Sequence, residues 1–416
     1  MDNNSIRIPL DLPDVRVLEV SKTDQGAWLI RVESTLNGTH CHQCGREITH
    51  FHSVESAIRL RHLPLFEMPV FIELRPKRYR CPFCEGKPTT TQRLSWHELR
   101  SPNTKPYEQW LLRMLINSTV ADVARKLTIS EETVAGVLKR WVSPQVDWAE
   151  FDQIEVVGID EIALKRGHRD YITLVSVPLM PRGVEIVAIL ADRKKQTVAN
   201  FFNSIPSRLK GGIKRVCTDM YQGFVAAAVL QLPEVKIVVD RFHVAKAYRA
   251  CADTVRKHEV NRLKQDLSPE AYQQIKGAMW PFRKAPDDLN DDEWALLERL
   301  FTYSPKLEKA YTLREELTEI FERAYTKTGA KCAIRAWCKR VRKSELDEFE
   351  SFLGTVDTWL DKITNYFLDG WSSGFVEGFN NRVKVLKRRC YGIFDVERIF
   401  QRLTLDINGY ERFGYT

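Results

Sequence analysis

The feature that most limits the architecture of this chain is a succession of short apolar, β-branched runs between Glu155 and Asp240. The first is Glu155-Val156-Val157-Gly158-Ile159-Asp160-Glu161, followed by Tyr171–Val177 and Val184–Leu190, with Pro181-Arg182-Gly183 as a hairpin signal between the latter two. A helical stretch over Lys195–Leu209, a run Ile213–Cys217, a helix over Gln222–Leu230 and the run Lys236–Asp240 complete the series. Runs of this length and branching read as buried strands, because branched side chains pack well on a pleated surface. Two of them end in acid, at Asp160 and just before Asp219.

Three meandering strands followed by helix, strand, helix and strand predict an RNase H-like mixed sheet, with the first and fourth strands side by side. Asp160 and Asp219 then meet at adjacent strand ends. Two close carboxylates repel one another unless a cation sits between them, and Mg²⁺ prefers such hard oxygen ligands. Two ions about 4 Å apart would activate an attacking oxygen and stabilise a leaving one in phosphoryl transfer. The third carboxylate expected to close the site is Glu377, at the head of the basic helix Phe375–Arg389. Along that helix Glu377, Asn381, Lys384 and Arg388 recur at steps of four, three and four, which puts an acid, an amide and two cations on one stripe. Lys387 and Arg389 add charge beside it, so the helix is expected to carry metal at one end and a phosphate track along the rest. The plainer reading is a solvated amphipathic helix whose Glu377 favours the N-terminal dipole. Asp240 and His243 form a second candidate pair near the site, although Asp240 also suits a helix cap. Glu161 is expected to point away from Asp160 by strand alternation.

Two tight cysteine pairs stand upstream, Cys41-His42-Gln43-Cys44 and Cys81-Pro82-Phe83-Cys84. Each pair bends so that two thiolates grip one ion, and two such knuckles make a closed four-sulfur Zn²⁺ site that serves structure. Four unrelated thiols is the plain alternative. The strand-like Val70–Leu74 stretch lies between the pairs and is expected to form a hairpin that brings them together. Of the nine cysteines, Cys251, Cys332, Cys338 and Cys390 read as small apolar packing groups. Next comes a helix over Lys105–Asn117, a short amphipathic helix over Thr119–Leu127, a turn at Thr128-Ile129, a cap at Ser130 and a helix over Glu131–Trp141. This is a helix-turn-helix outline whose groove-facing candidates are Thr133, Gly136, Lys139 and Arg140. A plain packing pair of helices is the competing reading, and Glu131 and Glu132 would repel phosphate.

A net charge of +8, concentrated locally, suits a polyanion. The absence of an eighteen-residue apolar run argues against a membrane partner, and Met1–Ser5 lacks the pattern of a secretory signal, so a cytoplasmic protein is expected. The expected organisation is an α/β multidomain chain. A zinc-binding module occupies 1–100 and a helix-turn-helix domain 101–150. The RNase H-like catalytic core takes 151–258 and 368–416, with an all-α insertion over 259–367.

The order of Gly158-Ile159-Asp160-Glu161, Thr218-Asp219-Met220-Tyr221, Asp240-Arg241-Phe242-His243, Val376-Glu377-Gly378-Phe379-Asn380-Asn381-Arg382-Val383-Lys384 and Lys387-Arg388-Arg389-Cys390-Tyr391-Gly392 resembles the ISL-three family of bacterial insertion-sequence transposases. The likeness covers nearly the whole chain. It implies a DDE-type enzyme in which Asp160, Asp219 and Glu377 bind Mg²⁺ or Mn²⁺, with Asp240 and His243 near the core. It implies double-stranded DNA partners, namely terminal inverted repeats and a target, and a homodimer or larger assembly that pairs two ends. Ser373 before Gly374 departs from the asparagine more usual there and bears on local substrate contacts. Two other classes remain open on the residues alone. One is a zinc and helix-turn-helix regulator without catalysis; the other is a structure-specific nuclease on the same core.

Overall fold

The β-branched runs are strands, and they form a five-stranded sheet. In the computed structural model, which describes residues 9–163, 171–179, 183–368 and 374–414, we number these strands β1 (Val156–Ala163), β2 (Tyr171–Leu179), β3 (Gly183–Leu190), β4 (Arg215–Thr218) and β5 (Lys236–Val239). The side chains of Gly374, Val376 and Glu377 lie outside that description, as do Pro181, Arg182 and Ser373. The sheet order is β3-β2-β1-β4-β5. The meander β1-β2-β3 is antiparallel, whereas β1 runs parallel to β4 and β4 to β5. Parallel neighbours require helical crossovers on the sheet faces, and Lys195–Ser204, Ser207–Lys210 and Gln222–Gln231 supply them. The helix expected over Lys195–Leu209 is interrupted at Ile205-Pro206, since proline disfavours the helical conformation of the residue before it. β1 is covered on both sides: Val156, Val157, Gly158, Ile159 and Asp160 are all buried.

The chain divides into two units, Ser143–Leu403 and Met1–Val142 together with Thr404–Thr416. Within the larger unit the expected insertion is all helical, including Asp291–Tyr303, Pro305–Glu322, Lys327–Lys343 and Glu350–Thr364. It does not have a separate core. Its buried Leu307, Trp337, Phe349 and Phe352 belong to the same apolar cluster as Val157, Val216 and Phe202 of the sheet layer. The expected boundary at residue 258 falls inside one continuous helix, Arg241–Asp266. That helix carries Tyr248, whose ring meets Phe352 and whose hydroxyl lies 2.8 Å from Thr318 Oγ1.

In the other unit, a four-stranded sheet orders Val15–Lys22, Trp28–Ser34, Met68–Leu74 and Ile58–Leu65. Val32, Leu60, Ile72, Leu74 and Trp96 form its core. The Ile58–Leu65 and Met68–Leu74 strands make the expected hairpin, closed through Phe66 and Glu67 at positive φ. Three helices follow, Lys105–Leu115, Val120–Leu127 and Glu131–Trp141, each begun by a hydroxyl cap at Thr104, Thr119 or Ser130. Thr128 takes the left-handed conformation, φ 53°, that ends the second helix and turns the chain.

The last part of the chain departs from the expected partition. Residues 368–416 were expected in the catalytic core, but from Thr404 onward the helix Val396–Phe413 packs with the three-helix module. Leu405 and Phe413 share a cluster with Leu111, Leu115, Val123 and Val137. The Phe413 ring stands edge-on to Trp141 at 6.0 Å, and Asn117 N donates to Asp406 Oδ1 at 2.9 Å. A Cβ on Gly409 would come within 2.8 Å of Ile116. Helical period alone shows that this segment has an apolar face but not which core receives it.

Candidate functional site

The zinc knuckles are built by turns. Gly45 N bonds Cys41 O at 2.9 Å and Lys87 N bonds Cys84 O at 3.1 Å, and each turn is completed by a glycine at positive φ, Gly45 at 71° and Gly86 at 74°. Open space surrounds both glycines, so their requirement is conformational. The four sulfurs of Cys41, Cys44, Cys81 and Cys84 lie within 4.8 Å of one another. Three of the separations are 3.9 Å (Cys41–Cys84), 3.8 Å (Cys44–Cys81) and 3.7 Å (Cys81–Cys84). A tetrahedron with Zn–S bonds of about 2.3 Å has edges of about 3.8 Å, so the thiols fit the ion. Backbone N–H groups of Cys44 and Gln43 lower the Cys41 thiol to about 6, while its bonding to Cys44 and its burial push Cys84 up to about 12. Four thiols this close share protons in the absence of a cation; a divalent ion takes the protons' place. Among the described residues no other group of three or more His, Cys, Asp or Glu side chains converges as closely.

In the larger unit the acids arrive by strand register. Ile159 pairs with Thr218 and Thr218 with Val239, so Asp160, one residue past the parallel pairing and still within β1, stands beside Asp219 and Asp240, which directly follow the ends of β4 and β5. Glu161 N donates to Asp160 Oδ1 at 2.7 Å, and Tyr221 N to Asp219 Oδ1 at 3.2 Å. His243, one turn into the helix that Asp240 caps, has its Nε2 3.9 Å from both Asp160 Oδ1 and Asp240 Oδ2. Asp240 caps the helix, accepting from Phe242 N at 2.8 Å, and through His243 it lies close to Asp160. Burial raises the Asp160 carboxyl above its usual range, partly countered by His243. Burial above all, countered by His243 and helped by the neighbouring Asp160 and Glu161 charges, pushes the Asp219 carboxyl up to about 6.

The basic helix Gly374–Arg389 packs on this sheet through Phe375, which meets Val156, Cys217 and Val238, and buries Phe379, Val383 and Leu386. Glu377 belongs to its first turns, but its side chain is outside the described residues. The residue that reaches the acids is Asn380, which is buried and donates through Nδ2 to Asp160 Oδ2. Its Oδ1 is also buried and has no partner among the described residues. Asn381, Lys384 and Arg388 are exposed on the expected stripe. Lys387 is turned inward, donating to Ala163 O at the end of β1, and burial lowers its pKa. Arg389 is half-buried.

Asn380 was hidden from sequence reasoning by the choice of a four-residue step from Glu377. The three-residue step marks the same helix face and leads to it. A second group also went unread. Glu161, set aside by alternation, forms an ion pair with Arg193 at 2.8 Å, and the Arg193 guanidinium lies over the rings of Tyr171 and Tyr221 at 4.7 and 5.0 Å.

The helix-turn-helix candidates separate. Lys139 is exposed, and Thr133 is half-buried against its own cap, Ser130. Gly136 is half-buried, where an added Cβ would meet Arg140 Nη1 at 3.5 Å. Arg140 is exposed like Lys139 and also pairs with the buried Glu108 carboxylate. Glu108 also accepts from Ser101 Oγ at 2.7 Å, Asn103 Nδ2 at 3.2 Å and Trp141 Nε1 at 2.7 Å.

Knuckles, helix-turn-helix and an acid-lined mixed sheet, in that order, are the parts of an insertion-sequence transposase, and comparison with known proteins agrees. The zinc-finger of transposase IS204/IS1001/IS1096/IS1165 matches residues 38–84, the helix-turn-helix domain of transposase family ISL3 matches 92–142, and the transposase domain of that family matches 157–403. The transposase for insertion sequence element IS1001 of Bordetella parapertussis is 30% identical over 374 residues, covering 89% of each chain. The transposase for insertion sequence element IS1557 of Mycobacterium tuberculosis (strain H37Rv) is 23% identical over 390 residues, covering 89% of this chain and 86% of that protein. The chain belongs to the ISL3 family of transposases, the ISL-three family named above. It is a DNA-binding transposase with a zinc ribbon, and no helix among its described residues is long and apolar enough to cross a membrane.

Proposed function

We propose that the chain is a DDE-type transposase with an RNase H-like core, in which Asp160, Asp219 and Glu377 hold Mg²⁺ or Mn²⁺. The observation that carries this reading is the meeting of three elements. The parallel pairing of β1 and β4 ends at Ile159 and Thr218 and so sets Asp160 beside Asp219, and the Gly374–Arg389 helix is tied to Asp160 through Asn380, one turn beyond Glu377. The strand order β3-β2-β1-β4-β5 supports the RNase H-like assignment. The donor set is all hard oxygen, and the Asp219 carboxyl, raised first by burial and further by the Asp160 charge, suits a divalent cation.

Bound there, the metal would supply Lewis acidity to both the attacking and the leaving oxygen. The chain's own groups prepare the site. Asn380 and the Glu161 N–H fix the two Asp160 oxygens, and the Tyr221 N–H fixes one of Asp219. The nucleophiles are water and then a DNA 3′ hydroxyl, so no protein nucleophile is required. The activity is hydrolysis at the element's ends followed by strand transfer to target DNA. The zinc module and helix-turn-helix read terminal inverted repeats, with Lys139 as a contact and Thr133 beside it. Asn381, Lys384 and Arg388 track phosphates near the acids. The enzyme acts in the cytoplasm as a dimer or larger assembly that pairs two ends. In this reading the module boundaries are 1–100, 101–142 with 404–416, and 143–403.

The test is incubation of purified protein with labelled terminal-repeat duplex and Mg²⁺, beside Glu377→Gln. Repeat-specific nicking and joining that vanish in the variant while binding persists are expected. Equal activity in the variant removes Glu377 from the site. Binding without cleavage by the unaltered protein, with Mn²⁺ and paired ends supplied, returns the reading to a regulator.

A further inference from the structure

The helix Lys327–Lys343 is the most one-sided in charge of the larger unit. Its sequence, Lys327-Thr-Gly-Ala-Lys331-Cys-Ala-Ile-Arg335-Ala-Trp-Cys-Lys339-Arg340-Val-Arg342-Lys343, contains cations throughout and no acid. One face is a core face, with Ala330, Ile334, Trp337, Cys338 and Val341 all buried and Trp337 Nε1 bonded to Leu313 O at 2.7 Å. At about 100° per residue the remaining positions sort themselves around this face. On one flank Arg340 pairs with Glu316 at 2.9 Å. On the other, Arg342 pairs with Asp357 at 2.9 Å, and Lys327 and Lys331 pair with Asp361 at 3.1 and 3.3 Å. These flank cations are matched by the helices on either side.

Arg335, Lys339 and Lys343 are different. They lie at successive four-residue steps on the sector opposite the core face, all three are exposed, and none has an ion pair among the described residues. Helix packing does not explain them, because among the described residues no acid forms an ion pair with any of the three. A row of unmatched cations on a fixed helix is a fixed field that attracts a polyanion. Eight residues of helix span about 12 Å, and one DNA strand presents a phosphate about every 3.4 Å of duplex axis. The row therefore matches roughly three phosphates of one strand.

We infer that Arg335, Lys339 and Lys343 form a second DNA-binding surface, on the helical insertion. It grips the phosphate backbone without reading sequence and adds to the helix-turn-helix contact. This goes beyond the proposed catalytic assignment and rests only on DNA being the substrate. The ligand is identified by charge density and spacing; phosphate contacts of this kind position a duplex and carry no base information.

The test uses the full chain and two labelled duplexes of equal length, one carrying an end of the element and one of random sequence. Binding is measured across a salt series for the parent, for Arg335→Gln/Lys339→Gln/Lys343→Gln, and for the charge-preserving Arg335→Lys/Lys339→Arg/Lys343→Arg. Each phosphate contact contributes about 0.9 to the slope of log K against log salt. The neutral triple variant is expected to lose about 2 to 3 of that slope on both duplexes, and the charge-preserving variant to keep the parent's. Lys139→Gln serves as the helix-turn-helix comparison. An unchanged slope in the neutral variant, with Lys139→Gln reduced, overturns the second surface and leaves the DNA reading intact. A parent that binds neither duplex overturns both. A neutral variant that changes sedimentation without changing slope makes the row a contact between copies of the chain and also overturns the inference.

Discussion

Glu108 is the buried charge on which the helix-turn-helix module depends, and its removal should be felt well beyond its own helix. The side chain is 1% exposed and accepts from Ser101, Asn103, Trp141 and Arg140, which come from the segment before the first helix and from the end of the third. Glu108→Ala leaves these donors without their acceptor in a closed site. Breaking a buried ion pair from one side costs about 3–5 kcal/mol. The Arg140 side chain is 37% exposed and recovers part of its hydration, which places the expected loss near the lower end, about 3 kcal/mol. At about 1.4 kcal/mol per factor of ten, slow amides of the Lys105–Leu115 and Glu131–Trp141 helices should exchange about a hundredfold faster. Hydrogen exchange by mass spectrometry on the full chain reads this locally, without assuming that the chain unfolds in one step. The pH dependence follows with a definite sign. Burial would raise the carboxyl, but the bonds from Arg140, Trp141, Ser101 and Asn103 outweigh it and hold the carboxyl below its usual range. A depressed carboxyl contributes stability that is complete above the unfolded value of about 4.3 and is lost as pH falls through the folded value. Protection of these helices should therefore drop below about pH 4 in the parent, and the drop should be shallower in Glu108→Gln. Exchange in Glu108→Ala within about threefold of the parent would refute the reasoning, because it would mean that the four donors find water as good a partner.

Other outcomes are expected from the same geometry. The purified chain should carry about one Zn²⁺, and Cys81→Ser, altering a sulfur on a fully buried residue, should lose it and expose 38–92 to proteolysis while the larger unit stays protected. Phe413→Ala should destabilise the helix-turn-helix module by about 3 kcal/mol, measured by exchange of the Glu131–Trp141 helix that it meets through Trp141. Asn380→Ala should weaken Mn²⁺ binding, followed by calorimetry, by roughly 10–100-fold while DNA affinity in a gel shift stays level, since the residue orients Asp160.

Much of this protein can be read from its residues in order. Strands and helices of the catalytic sheet follow from runs of branched residues and from period, and the sheet's neighbour relations follow from the order of those elements. The four thiols are legible because a metal imposes the same tetrahedral demand on any chain that carries two knuckles. The adjacency of Asp160 and Asp219 is legible because each follows the last residue of a parallel pairing between neighbouring strands. Other assignments depended on packing. Asn380 and Asn381 are adjacent amides on one helix, and only docking of Phe375, Phe379 and Val383 turns the first toward Asp160 and the second toward solvent.

Arg140 and Lys139 are adjacent cations of equal promise as DNA contacts. The tertiary structure pairs Arg140 with Glu108, more than thirty residues earlier in the chain, and gives Lys139 no ion pair among the described residues, although both are exposed. The same holds for the last helix, whose apolar positions were evident but whose partner core was not. The sequence by itself determined which segments have faces and which residue types can hold zinc or a hard cation, because those are local and chemical properties. Only the tertiary structure decided which of two neighbouring polar side chains is used, because that depends on a rotation of one helix by about 100° against its neighbours, and no local preference encodes it.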